Sequence, residues 1–64
     1  MIIETSCNRL FLVTENTHPN LAHVWTGLAV KRVKGGFALR AKAKPLLIRK
    51  AGCQIIDSTP IVLP

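Results

Sequence analysis

Residues 37–44, FALRAKAK, alternate without exception. Phe37, Leu39, Ala41 and Ala43 point one way, and Ala38, Arg40, Lys42 and Lys44 point the other. A period of two is the pattern of a half-buried strand. The composition pulls against it, because Ala, Leu, Arg and Lys are good helix formers. In a helix, however, these basic residues would spread around the cylinder and leave a poor apolar stripe, so the period decides for a strand. RLFLVTE (9–15) is short, β-branched and aromatic, and it runs into the turn-like NTHPN. VWTGLAVKRV (24–33) carries helical spacing at Leu21, Val24, Trp25 and Leu28. Against that stand the β-branched Val24, Thr26, Val30 and Val33, and Gly27, which costs a helix about 1 kcal/mol. This segment is expected to be a long strand with a bulge or bend near Gly27. Pro45 breaks the ladder, LLIRK (46–50) and CQIID (53–57) are further short strands around an Ala-Gly turn, and STPIVLP is extended.

The pattern therefore predicts an all-β chain of five or six short strands in one domain, residues 1–64, with 59–64 an extended or frayed tail. The expected architecture is an open barrel or rolled sheet in the size class of SH3-like and OB-like barrels. Its central hairpin is expected to turn at Gly35-Gly36, since two glycines supply the positive backbone angles of a tight turn. That register sets Lys34 against Phe37, Arg32 against Leu39 and Val30 against Ala41 on one face. On the other it sets Val33 against Ala38, Lys31 against Arg40 and Ala29 against Lys42.

Charge sharpens this picture. The net charge is +6, and eight of the nine basic residues lie between Lys31 and Lys50 with no acid among them. Like charges directly opposed across a ladder, as Lys31 and Arg40 are in this register, destabilise a sheet by a few tenths of a kcal/mol. Phosphates or carboxylates lying over the pair would account for that cost, although a solvated face guarding a sheet edge carries the same pattern. Strict alternation puts Trp25 beside Lys31 on this basic face, where stacking and charge neutralisation could combine. A bulge at Gly27 would turn it into the core instead. Arg49 and Lys50 join the patch if their strand neighbours the hairpin, whereas Arg9, on another strand, is expected to matter less. The nucleic-acid-contacting candidates are thus Trp25, Lys31, Arg40, Lys42, Lys44, Arg49 and Lys50. Nothing resembles a recognition helix or another sequence-reading motif, so any contact is expected to run through the phosphate backbone with low specificity.

Other chemistry is thinly represented. There is no G-x-S-x-G, phosphate loop, H-E-x-x-H or paired-carboxylate arrangement, and Ser6 or Cys7 could act as a nucleophile only with His18 or His23 as base. A non-enzymatic protein without a cofactor is expected. Cys7, His18, His23 and Cys53 have the composition of a Cys₂His₂ zinc set but not its spacing, so no metal is expected. The opening MIIET lacks the basic region of a secretory signal and no apolar run approaches the ~18 residues of a membrane span. A cytoplasmic location with reduced cysteines follows as the expectation. The hydrophobic fraction of 48% excludes a disordered basic tail. A chain this short buries only about 60% of its unfolded surface, which makes self-association plausible through PIVLP and the sheet edges. A protein-interaction or accessory module, or a subunit docked on an acidic protein surface, is the alternative to a nucleic-acid binder.

Overall fold

The computed structural model describes residues 1–13 and 23–63; the predicted turn NTHPN, with Glu15 and His18, lies outside the described residues. Within them the chain forms seven strands: β1 (Ile2–Glu4), β2 (Leu10–Val13), β3 (Val24–Val33), β4 (Gly36–Leu39), β5 (Leu46–Arg49), β6 (Gln54–Asp57) and β7 (Val62–Leu63). They make a single sheet in the order β6-β1-β2-β3-β4-β7, with β5 paired to β3 off this path. All pairings are antiparallel except β4 with β7. The all-β expectation holds.

Connectivity forces the sheet to roll. β6 and β7 stand at opposite ends of the strand order, yet only Ser58–Ile61 joins them. In a flat sheet the five gaps between them would measure about 24 Å. The link from Asp57 to Val62 reaches about 18 Å when fully extended. The ends must therefore curl toward one another, and the two transverse dimensions of 20 Å agree with a rolled sheet. The roll stays open, since β6 and β7 do not pair.

The concave interior is built from one face of the strands. Ile2, Val30 and Phe37 form its core, with Leu10, Leu12 and Ile56 packed against them. Ile56 is the extra residue of a bulge in β6, where the register slips between Ile2 opposite Asp57 and Ile3 opposite Ile55. Ile3 and Phe11 are buried from the other face, so Ile2 and Ile3 are both fully covered. A strand buried on both sides reads as a continuous apolar run rather than as an alternation. That is why the short Ile2–Glu4 strand has no period to show.

β3 organises the sheet by using both of its edges. One edge pairs with β2 through Gly27–Ala29, and the other pairs with β5 through Val24–Gly27 and with β4 through Val30–Val33. No bulge interrupts it at Gly27. The residue instead lies in line, where a Cβ would come within 2.8 Å of Ile48 Cδ1 and 3.2 Å of Phe11 Cβ. The missing side chain lets those two close over the strand.

The hairpin differs from its expected register. Val33 pairs with Gly36, so the turn residues are Lys34 and Gly35, not Gly35 and Gly36. Gly35 alone takes the left-handed position, with φ 88°. Gly36 lies in the ladder, and the reason is β7: a Cβ on Gly36 would overlap the Ile61 carbonyl oxygen. That same oxygen accepts a hydrogen bond from the Phe37 amide at 2.9 Å. The two glycines thus do different things, one turning the hairpin and one admitting the C-terminal segment. Val62 and Leu63 are held there by pairing with Phe37 and Ala38.

The strand expected over 37–44 ends at Leu39. The Arg40 carbonyl accepts from the Ala43 amide at 3.1 Å, closing a turn with Lys42 at φ 61°. Alanine and lysine fit a pleated surface poorly, and Leu46–Arg49 takes up the β3 edge in their place.

This packing predicts unequal outcomes for two alanine substitutions. Gly35→Ala has open space around its Cβ and should lose only the left-handed penalty of about 1–2 kcal/mol. Gly36→Ala should be the more destabilising, because a backbone oxygen cannot rotate away. Hydrogen exchange will separate them, with the Phe37 amide losing protection in Gly36→Ala and keeping it in Gly35→Ala.

Candidate functional site

The loop between β1 and β2 starts the site. Thr-Ser-Cys-Asn supplies its own ties: the Thr5 carbonyl accepts from the Asn8 amide at 2.9 Å, and the Thr5 amide donates to the Arg9 carbonyl at 2.9 Å. The Thr5 hydroxyl accepts from the Cys7 and Arg9 amides at 3.3 and 3.2 Å. Asn8 takes φ 62°. This is a three-residue hairpin loop whose last position is left-handed, and asparagine tolerates that conformation better than most side chains. The loop delivers Arg9 to the start of β2. Continuing the β2–β3 register, in which Phe11 faces Ala29, carries Arg9 across from Lys31.

On the other edge of β3 the Arg40 amide donates to the Ala29 carbonyl at 3.0 Å. Ala29 therefore has Arg40 on one side and the Arg9–Phe11 strand on the other. Its short side chain lies at the bottom of a cleft of about 340 Å³ walled by Arg9, Lys31, Arg32 and Arg40, with Asn8 and Leu10 completing it. None of these residues is acidic. Four cationic residues thus border this one cleft.

Two of the guanidiniums are held by rings. Arg9 Cζ lies 5.2 Å from the centre of the Phe11 ring and Arg32 Cζ lies 5.7 Å from that of Phe37. Lys50 Nζ lies 5.3 Å from the Trp25 ring. Every aromatic residue of the chain is thus paired with a cation.

A second groove of about 370 Å³ adjoins the first and shares Arg9 with it. Its walls are mainly apolar, formed by Phe11, Leu46, Leu47 and Ile48, with Thr5 and Cys7 of the loop and Arg49 at its rim.

The structure sorts the expected residues into separate places. Lys31 and Arg40 do come together, but not as a directly opposed pair: Lys31 faces Ala38, and Arg40 is beside Ala29. The register slips by two residues, an even number, so each side chain keeps its face while its partner changes. Lys42 leaves the expected strand face for a left-handed turn position, and Lys44 is exposed in the connection to β5. Arg49 borders the second groove. Trp25 is half-buried opposite Ile48, six residues and about 20 Å along β3 from Lys31. Trp25 and Lys50 therefore stand apart from the four-cation cleft.

Arg9 and Arg32 are the cleft residues that strand alternation overlooks. Arg9 is distant in sequence from the basic segment. Arg32 belongs by parity to the core side, where its guanidinium lies over the Phe37 ring, and it borders the cleft from there. Cys7 is exposed, and the Cys53 thiol donates to the Arg49 carbonyl at 3.2 Å. Among the described residues no three His, Cys, Asp or Glu side chains gather as a metal site, and no helix is long and apolar enough to cross a membrane. No protein-family model, curated protein or solved structure matches this chain.

The loop geometry makes a prediction of its own. Asn8→Ala should destabilise the protein by about 1 kcal/mol, the cost of an ordinary side chain at positive φ. Asn8→Gly should leave the thermal midpoint nearly unchanged. A melting series in which both variants behave alike would show that the left-handed position does not hold the loop.

Proposed function

We propose that this chain is a small, non-enzymatic basic module that contacts nucleic acid through its phosphate backbone, with little sequence preference. The supporting observation is the uncompensated cleft. Arg9, Lys31, Arg32 and Arg40 converge there without a carboxylate among the lining residues. Such an arrangement costs repulsion in the free protein, and on binding its cations displace the counterions condensed on the phosphates of a nucleic acid. Three of the four cations are arginines, whose planar donors match phosphate oxygens two at a time. Neither the cleft nor the adjoining groove presents a histidine or a carboxylate that could serve as a general base.

A second reading rests on a different observation. Leu39, Ile61, Val62 and Leu63 are exposed together around the β4–β7 pair, and Ile55 is exposed on β6 at the other end of the sheet. Apolar edges of this kind suit strand addition by a partner protein or a second copy of the chain.

Fluorescence anisotropy at several salt concentrations tests the first reading. Wild type should bind DNA or RNA at low salt and weaken steeply as salt rises. Changing Arg9, Lys31 and Arg40 together to Gln should lower the logarithmic salt slope by about two units, at roughly 0.7–0.9 for each phosphate left without its cation. Changing Lys42 and Lys44 to Gln should lower it less. Equal slopes in wild type and the cleft variant would remove the cleft from the account and put the sheet-edge reading first.

A further inference from the structure

We infer that the cleft and the groove beside it form one site for single-stranded nucleic acid, with phosphates in the cleft and a neighbouring base in the groove, stacked on Arg9. This inference rests on the backbone-binding reading and adds the form of nucleic acid. Three observations carry it. The first is adjacency: Arg9 lines both depressions, so a ligand that spans them meets the same side chain from either side.

The second is the contrast in their chemistry. The cleft is cationic, whereas Phe11, Leu46, Leu47 and Ile48 make the groove apolar, with Leu47 61% exposed. A single strand presents this same alternation of anionic phosphate and flat, largely apolar base. In a duplex the bases are stacked and paired, so their flat faces are not free to enter such a groove.

The third is the setting of Arg9. Its guanidinium lies over the Phe11 ring at 5.2 Å, and Phe11 itself is 3% exposed. The ring cannot offer its own face to a base, but the guanidinium above it can. Unpaired bases stack on arginine planes as they do on aromatic rings. The groove's rim also carries Arg49, so a phosphate on the far side of the base meets a cation too. An acidic peptide with apolar side chains shares the charge and the greasiness but lacks the flat surface this platform matches.

Labelled oligothymidylate, a strand of equal length with abasic positions, and a duplex of equal length test the inference. Wild type should bind oligothymidylate about tenfold more tightly than the abasic strand, within the range of base stacking on a protein platform, and more tightly than the duplex. Arg9→Lys keeps the charge and loses the plane. It should bring the thymidylate and abasic affinities together while leaving the salt slope unchanged. Leu46→Ser, at an exposed position on the same face as Ile48, should narrow the same ratio by removing one wall of the groove. Equal affinity of wild type for the thymidylate and abasic strands overturns the base-in-groove inference, and a salt slope that persists then leaves the backbone reading standing. No binding to any of the three at low salt overturns both. An acidic leucine-bearing peptide that binds wild type more tightly than oligothymidylate, and depends on Leu46, overturns the inference in favour of a protein ligand.

Discussion

Four residues, Ser58 to Ile61, join the two strands that stand farthest apart in the sheet order. A link that short fixes the curvature before any side chain is considered. Curvature in turn gives a chain of this size an inside. Among the described residues only six hydrophobic side chains are buried, too few to cover both faces of a flat sheet. Rolling lets Ile2 of β1 meet Val30 and Phe37 on β3 and β4, strands with which β1 does not pair. The same short link holds Ile61 where its carbonyl oxygen meets the Phe37 amide, so closure at Gly36 and curvature of the sheet are two sides of one restraint.

The basic cleft is a by-product of how β3 is shared. Its two edges bring the β1–β2 loop from one side and the end of β4 from the other, each arriving with an arginine. Ala29 between them leaves room. The cations converge because the ladder places their backbones, and Phe11 and Phe37 then fix two of the guanidiniums in orientation. Core packing and surface charge are therefore coupled: each of the two buried phenylalanine rings, one on either face of the sheet, lies beneath a guanidinium.

Much of the fold is legible in the sequence, for identifiable reasons. β3, β5 and β6 announce themselves through β-branched and aliphatic runs bounded by Gly and Pro. The hairpin's faces are legible too, because alternation survives a register shift of two. Its register is not, because the role of Gly36 depends on Ile61, twenty-five residues farther on. The strand over 37–44 shows the limit of periodicity: five alternating residues, 40–44, with weak strand preference yield to a better partner for the same edge. β1 is hidden because Ile2 and Ile3 are buried on opposite faces and so show no alternation. Arg9 falls outside the expected site because no local pattern connects it with Lys31; only the β1–β2 loop and the β2–β3 register do.

The connection from β4 to β5 has a consequence for how such a protein can diversify. Residues 40–45, six in number, stand opposite only Leu28 and Ala29 of β3. Extra length is already accommodated there, outside the ladder and in the open, and lengthening an exposed loop further costs little in chain entropy. Its first residue, Arg40, is part of the cleft wall, and Lys42 and Lys44 follow along it. Insertions and substitutions in this stretch can remodel the rim of the cleft, in reach and in charge, while the strands that build the interior keep every hydrogen bond. The molecule thus separates a segment free to evolve from a framework that is not.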